Sequence, residues 1–189
     1  REVLQRELKK VLKKLQIPTI FVTHDRTEAI IMGDRIAVMN DGKVVQMGGV
    51  NEVFAKPDNP SVAAIVGMEN VLIGKIIDRS EGLVNIKVGN NNLVALDTGV
   101  TGPEAVVCIR AEEIILEKGA VPESSARNRF SGRIIDISQQ GVIVKLTLDC
   151  GFPLIVLITK QSFVDMSIQL GSTLTASIKA QAIHIFQHD

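Results

Sequence analysis

Tryptophan and tyrosine are absent from the chain, and phenylalanine occurs only six times. With 46% hydrophobic residues and 3% aromatic ones, the core has to be assembled from Val, Ile and Leu, which pack best in β-sheet. The same shortage argues against a surface that stacks nucleobases. Neither sign of charge is in excess: 21 Lys and Arg balance 21 Asp and Glu. That balance excludes a generic DNA-binding face or a polybasic membrane anchor. No apolar run approaches the roughly 20 residues needed to cross a bilayer, and the N-terminal residues lack the pattern of a secretory signal. The two cysteines, Cys108 and Cys150, have no metal-ligand spacing and read as small core residues in a reducing compartment. No Gly-x-x-x-x-Gly-Lys-Ser/Thr run occurs, so the chain has neither a backbone cradle nor a lysine for nucleotide phosphates. Together these absences predict a soluble, cytoplasmic, β-rich chain with no nucleic-acid partner.

What is present begins with an amphipathic helix. Val3, Leu4, Leu8, Val11, Leu12 and Leu15 recur at helical steps between Arg1 and Gln16, with lysines between them. Pro18 stops that helix, and the β-branched run Thr19–Thr23 predicts a buried strand ending in His24-Asp25. A short helix over Glu28–Met32 and a hairpin follow. The hairpin pairs Arg35–Met39 with Val44–Gly48 across Asp41-Gly42. Asn51 is placed to cap a helix through Ala55, Pro57 to break it, and Ser61 to cap a last helix ending at Gly67. Read alone, His24 suits a structural role more readily than a functional one, although strand ends are where α/β sheets place ligand-handling groups.

Val22-Thr23-His24-Asp25, Glu28-Ala29, Asp34-Arg35-Ile36, Asp41-Gly42, Pro57 and Pro60 resemble, in order and spacing, the end of the ATPase subunit of ABC importers with an accessory C-terminal domain. The resemblance implies that His24 matches the switch histidine that senses the γ-phosphate of ATP. Gly33 and Val50 depart from that family's usual alanine and proline. The phosphate cradle, the signature loop and the acidic Walker B strand have no match. The chain as given is therefore expected not to hydrolyse ATP; the catalytic role of His24, like ATP and Mg, belongs to an intact parent transport ATPase.

From residue 70 onward the sequence repeats itself. Asn70-Val71-Leu72-Ile73-Gly74-Lys75-Ile76-Ile77-Asp78 returns as Asn128-Arg129-Phe130-Ser131-Gly132-Arg133-Ile134-Ile135-Asp136, and Ile109-Arg110-Ala111 returns as Ile178-Lys179-Ala180. Short alternating strands with Gly, Asn and Asp turns predict a small oligonucleotide-binding-type (OB-like) barrel for each copy. The copies differ in donors. Ser125, Arg127 and Lys179, with Thr159 and Ser162, form clusters in the second copy that contain no carboxylate. The first copy has Glu69 before its Asn70. Donors without competing acid suit a fully deprotonated tetrahedral dianion and disfavour a metal cation. Read residue by residue, Ser125 could instead cap a turn, Arg127 pair with Asp136, and Lys179 sit in solvent.

The Ser-Ala-Arg-Asn start, the Thr-x-x-Ser step and the late Ile-Lys-Ala resemble the Mop domain, a barrel that binds molybdate or tungstate. Asn70 to Leu116 resembles the related accessory domain of ABC importers. The resemblance implies an oxyanion site made by Ser125, Arg127, Lys179 and Ala180 of one subunit with Thr159 and Ser162 of the partner subunit. It implies no metal.

The whole chain then reads as mainly β with a partial α/β segment. Residues 1–69 end an ABC ATPase domain, 70–118 form a first OB-like TOBE barrel, 119–124 a linker, and 125–189 a second, Mop barrel. The function expected is that of a C-terminal fragment of the ATP-binding subunit of a molybdate/tungstate importer. Its barrels would bind cytosolic oxyanion between subunits of a homodimer and so regulate uptake. Transmembrane permease subunits would be its partners, and the assembled chain would lie on the inner face of the cell membrane. The alternatives are a purely structural barrel domain in an importer for sugar, polyamine or another anion, and an oxyanion-responsive transcription regulator. The His24-Asp25 segment, in place of a basic helix-turn-helix, speaks against the last.

Overall fold

A computed structural model describes residues 2–119 and 123–188, and the chain divides into two compact units, Arg1–Val66 and Gly67–Asp189. In the first unit, α1 (Glu2–Leu15) is followed by α2 (Arg26–Met32), the hairpin β1 (Arg35–Asn40) and β2 (Lys43–Gly49), α3 (Val50–Ala55) and α4 (Pro60–Ile65). Asp41 and Gly42 take φ of 48° and 74°, the left-handed pair that a tight two-residue hairpin turn needs. Val38, Val53, Val62 and Val66 form a small core.

Three expectations fail here. Thr19–Thr23 is neither buried nor a strand: Ile20 is 94% and Val22 89% exposed. A β-branched run becomes a strand only when a neighbour takes its backbone hydrogen bonds, and no described strand runs beside it. Asn51 does not cap α3. That helix starts two residues earlier, after Gly49, which makes no side-chain cap but whose N–H donates to Glu52 Oε2 at 3.3 Å. Ser61 lies inside α4, because Asn59 accepts the Val62 N–H at 3.0 Å and Pro60 is preorganised for the first helical position.

The second unit holds the repeat. Its first half runs β3 (Asn70–Ser80), β4 (Leu83–Val88), β5 (Asn91–Leu96), β6 (Glu104–Ile109), a 3₁₀ turn at Ala111–Glu113 and β7 (Ile115–Glu117). Its second half runs β8 (Asn128–Gln140), β9 (Ile143–Asp149), β10 (Pro153–Thr159), α5 (Lys160–Asp165), β11 (Thr173–Ile178), a 3₁₀ turn at Ala180–Ala182 and β12 (Ile183–Gln187). The two element orders correspond, except that α5 has no counterpart. All pairings are antiparallel, in two five-stranded sheets that curl into OB-like barrels.

The last strands are exchanged. One sheet has the order β10-β9-β8-β11-β7 and the other β12-β6-β3-β4-β5, so each half is completed by the final strand of the other. A single hydrophobic core, with Ile86, Leu93 and Ile109 from one half and Leu146, Leu154 and Ile178 from the other, follows from this exchange. Both free thiols are buried, which pushes Cys108 up to about 12 and Cys150, also beside Asp149, up to about 11. Neither is a thiolate at neutral pH, in keeping with a packing role.

Each half depends on a long bent first strand. β3 and β8 carry register shifts at equivalent places, between Ile76 and Asp78 and between Ile134 and Asp136. The bulge lets the early part of the strand pair with β6 or β11 and the later part with β4 or β9. Gly74 and Gly132 sit just before the bend, where the strand lies against its neighbour. A Cβ on Gly132 would lie 2.5 Å from Cys150 Sγ and 3.0 Å from Leu148 Cβ, and one on Gly74 would overlap Ile86 and Val88. Gly132→Ala and Gly74→Ala should each destabilise the unit by about 2 kcal/mol, as overpacking does. Denaturant unfolding of the full chain checks this; wild-type midpoints would refute the close approach.

Candidate functional site: two cations at the ends of paired strands

Around His24, the local geometry is set by Glu28. This buried carboxylate accepts Gln5 Nε2 at 2.9 Å and Thr23 Oγ1 at 2.6 Å. Thr23 Oγ1 in turn accepts the Asp25 N–H at 2.9 Å, and Asp25 Oδ1 takes the Thr27 and Glu28 N–H groups at the start of α2. His24 is the exposed residue in the middle of this turn. In the sequence Glu28 read as the start of a helix and as one of the residues of the ABC-ATPase resemblance; its hydrogen bonds to Gln5 and Thr23 were not visible there.

In the second half, strand register assembles the donors. β8 and β11 pair from Arg133↔Thr173 to Asn128↔Ile178. Carried one residue past its last pair, this register sets Arg127 across from Lys179. Both side chains are exposed, and among the described residues neither has a hydrogen-bond or ion-pair partner. Ser125 is exposed two residues before Arg127. The turn that carries it is held by Ser124, whose Oγ accepts the Ala126 N–H at 3.3 Å and Arg129 Nη2 at 2.9 Å. Ser124 is thus a positioning residue that sequence reading passed over. Ala180 is buried, and no described group accepts its N–H.

Thr159 and Ser162 form a second donor pair. Their hydroxyls lie 2.9 Å apart, and the Ser162 N–H donates to Thr159 Oγ1 at 3.1 Å as α5 begins. This pair is not beside Arg127 and Lys179 of the same chain. Thr159 pairs with Ile143, and Ile143 with Gln140, at the opposite end of the 13-residue β8 from Asn128. Within one chain, then, Arg127, with Ser125 two residues before it, lies at the same strand end as Lys179 and Ala180, and Thr159 and Ser162 stand apart.

Two buried asparagines fix the ends of the strands that carry the cations. Asn128 Nδ2 donates to Ile178 O at 3.2 Å and to Val94 O at 2.9 Å, and its Oδ1 accepts the Val94 N–H at 2.7 Å. Asn70 does the same in the other half, with Ile109 O at 3.3 Å, Ile155 O at 2.9 Å and the Ile155 N–H at 2.6 Å. Each asparagine therefore joins its own strand pair to the third strand of the opposite half. The repeat Asn70/Asn128 was the available signal, since asparagine is otherwise unfavourable in a strand.

Two like charges facing each other at a strand end are unfavourable unless something negative lies between them. A guanidinium fork, an ammonium, a hydroxyl and a backbone N–H are all donors, a set whose chemistry suits an acceptor-only anion. Among the described residues no group of His, Cys, Asp and Glu could hold a metal ion.

This cluster and the barrel around it coincide with a known domain: residues 124–185 match the TOBE domain. Beyond that domain, nearly the whole chain is similar to part of the ATP-binding subunits of ABC importers. It is 38% identical over 187 residues to the molybdate/tungstate import ATP-binding protein WtpC of Pyrococcus horikoshii, covering 97% of this chain and 51% of that protein. It is 36% identical over 151 residues to the spermidine/putrescine import ATP-binding protein PotA of Borreliella afzelii, covering 79% of this chain and 40% of that protein. The chain spans about half the length of the curated relatives it matches. Among solved structures, the cytoplasmic molybdate-binding protein ModG with molybdate bound aligns with a TM-score of 0.59 at 23% identity, over 64% of this chain and 96% of that one. At that identity the likeness speaks for the fold alone. No helix of the described residues is long and apolar enough to cross a membrane.

Proposed function

We propose that the chain is the C-terminal part of the ATP-binding subunit of a molybdate or tungstate importer, and that its second half senses the imported oxyanion. The observation that carries this reading is the unpaired facing of Arg127 and Lys179 with no carboxylate between them. A tetrahedral dianion offers four acceptor oxygens. Arg127 and Lys179 supply charge and several N–H donors, Ser125 a hydroxyl and Ala180 a backbone N–H. Thr159 and Ser162 of the partner subunit complete the shell, because the same residues of one chain lie at the far end of β8. A cationic cluster of this kind repels spermidine and putrescine, so the likeness to polyamine importers extends to the scaffold and not to this site.

An oxyanion bound between two chains stabilises the homodimer through the barrels by mass action. A few kcal/mol of differential affinity is enough to shift an equilibrium between transporting and arrested arrangements. In the complete subunit, working with permease subunits at the inner face of the membrane, that shift would lower ATP-driven uptake when cytosolic oxyanion is plentiful. ATP and Mg, and the role of His24 toward the γ-phosphate, belong to that complete subunit.

Calorimetric titration of the full chain with molybdate, tungstate and sulfate, with sedimentation at each ligand ratio, tests the proposal. Molybdate and tungstate should bind and convert monomer to dimer. A correctly folded chain that binds neither would reduce the barrels to a structural role.

A further inference from the structure

The first half repeats the geometry of the cationic cluster with one charge reversed. Asn70↔Ile109 is the counterpart of Asn128↔Ile178, so Glu69 and Arg110 face each other where Arg127 and Lys179 do. The Ala111 N–H, counterpart of the Ala180 N–H, is accepted by Glu69 Oε2 at 3.2 Å. The Arg110 side chain is only 14% exposed and lies 3.8 Å from Glu112 Oε1; burial and then the Arg110 charge lower the proton affinity of His184, with Glu113 opposing. A carboxylate oxygen of the chain itself thus stands where, in the second half, an oxygen of the bound dianion would stand.

We infer that Glu69 is a tethered anion occupying the first half's own oxyanion pocket, so that each chain takes up one oxyanion, and that removing this carboxylate opens a second site for the same class of tetrahedral dianion. The inference rests on the reading of Arg127 and Lys179 given above. A tethered group competes at an effective concentration of about millimolar or more, which keeps free anion out of the pocket. The opened site should be the weaker one. β5 passes to β6 through a short loop without a helix, so the first half has no equivalent of the Thr159–Ser162 pair at the start of α5.

The test counts molybdate bound per chain, by calorimetry and by elemental analysis after equilibrium dialysis, for the full wild-type chain, Glu69→Arg and Glu69→Ser. Wild type should take one molybdate per chain. Both variants should take two, the second at least tenfold weaker than the first. In the double variant with Lys179→Ala, the gained site should keep its affinity while the original weakens about a hundredfold. Glu69→Ser decides the matter if the arginine variant does not fold. Two molybdates per wild-type chain, or one in both folded variants, overturns the inference. A wild type that binds none, beside a Glu69→Arg variant that binds one, leaves the tethered-anion reading standing and removes the proposed role of the second half. No binding by any of the three removes both.

Discussion

Lys179→Ala is expected to weaken molybdate binding about a hundredfold while leaving the ligand-free protein as stable as the wild type, or slightly more so. A hydrogen bond to a charged group contributes about 1.5–3 kcal/mol, which corresponds to roughly ten- to 150-fold in affinity. The ammonium has no partner among the described residues, so its removal leaves no group unsatisfied in the free protein. Its removal also relieves the repulsion from Arg127 across the end of the β8–β11 pair. Arg127→Ala should behave alike, and the double variant should lose measurable binding. Lys179→Arg should recover part of the affinity, since it restores charge but not the compact ammonium. Thermal melts with and without molybdate check both halves of the prediction: wild type should gain stability from ligand and Lys179→Ala should not. If Lys179→Ala lowered the ligand-free melting temperature by many degrees, Lys179 would be a structural residue and the site would lie elsewhere.

Much of the fold could be read from the residues. The alternation in Leu83–Val88 and in Val142–Leu148 became β4 and β9 within a residue or two, and Asp41-Gly42 became the hairpin turn. The repeat was legible because two identical structural tasks, starting a bent strand and crossing closely over the next one, require the same Asn and Gly in both copies. The donor cluster was legible as chemistry, since carboxylates are missing from it. Its assembly was not, because register decides which residues face each other and sequence spacing does not reveal register. Glu69 read only as an acid in an unmatched position until the Ala111 N–H was found on its carboxylate. Thr19–Thr23 misled for the opposite reason: β propensity is a property of residues, but a strand needs a neighbour. The strand exchange left no trace in the sequence at all. Ile115–Glu117 and Ile183–Gln187 are equivalent segments that fit either sheet, and only the path of the chain settles which one each joins.

That exchange makes a single substitution near the C-terminus a test of the first half. Ile185→Asp, on β12, should unravel the sheet made by β6, β3, β4 and β5. Ile185 pairs with Val107 and is buried in the shared core, so a carboxylate there has neither partner nor solvent. The expected cost, lost apolar burial plus desolvation of the acid, is several kcal/mol. That is a large share of the roughly 5–15 kcal/mol available to a domain. Hydrogen exchange read by mass spectrometry should show protection falling first in peptides covering β6 and β3, far from the substitution in sequence, and only afterwards around β8 and β9. Leu116→Asp, the equivalent change on β7, should reverse the order and loosen β11 and β8 first. Neither half can come apart alone for long, because Asn128 bonds Val94 of β5 and Asn70 bonds Ile155 of β10. Losing one sheet therefore leaves a buried asparagine unsatisfied in the other, at about 1–3 kcal/mol for each stranded group. The cations at the site share this dependence: Arg127 and Lys179 are held opposite each other by Asn128, and Asn128 is held by a strand of the first half. Ile185→Asp should consequently weaken molybdate binding as well, although Ile185 lies outside the ligand cluster. If the variant instead lost protection in the second half alone, the two halves would be independent barrels and the exchange would have no energetic meaning.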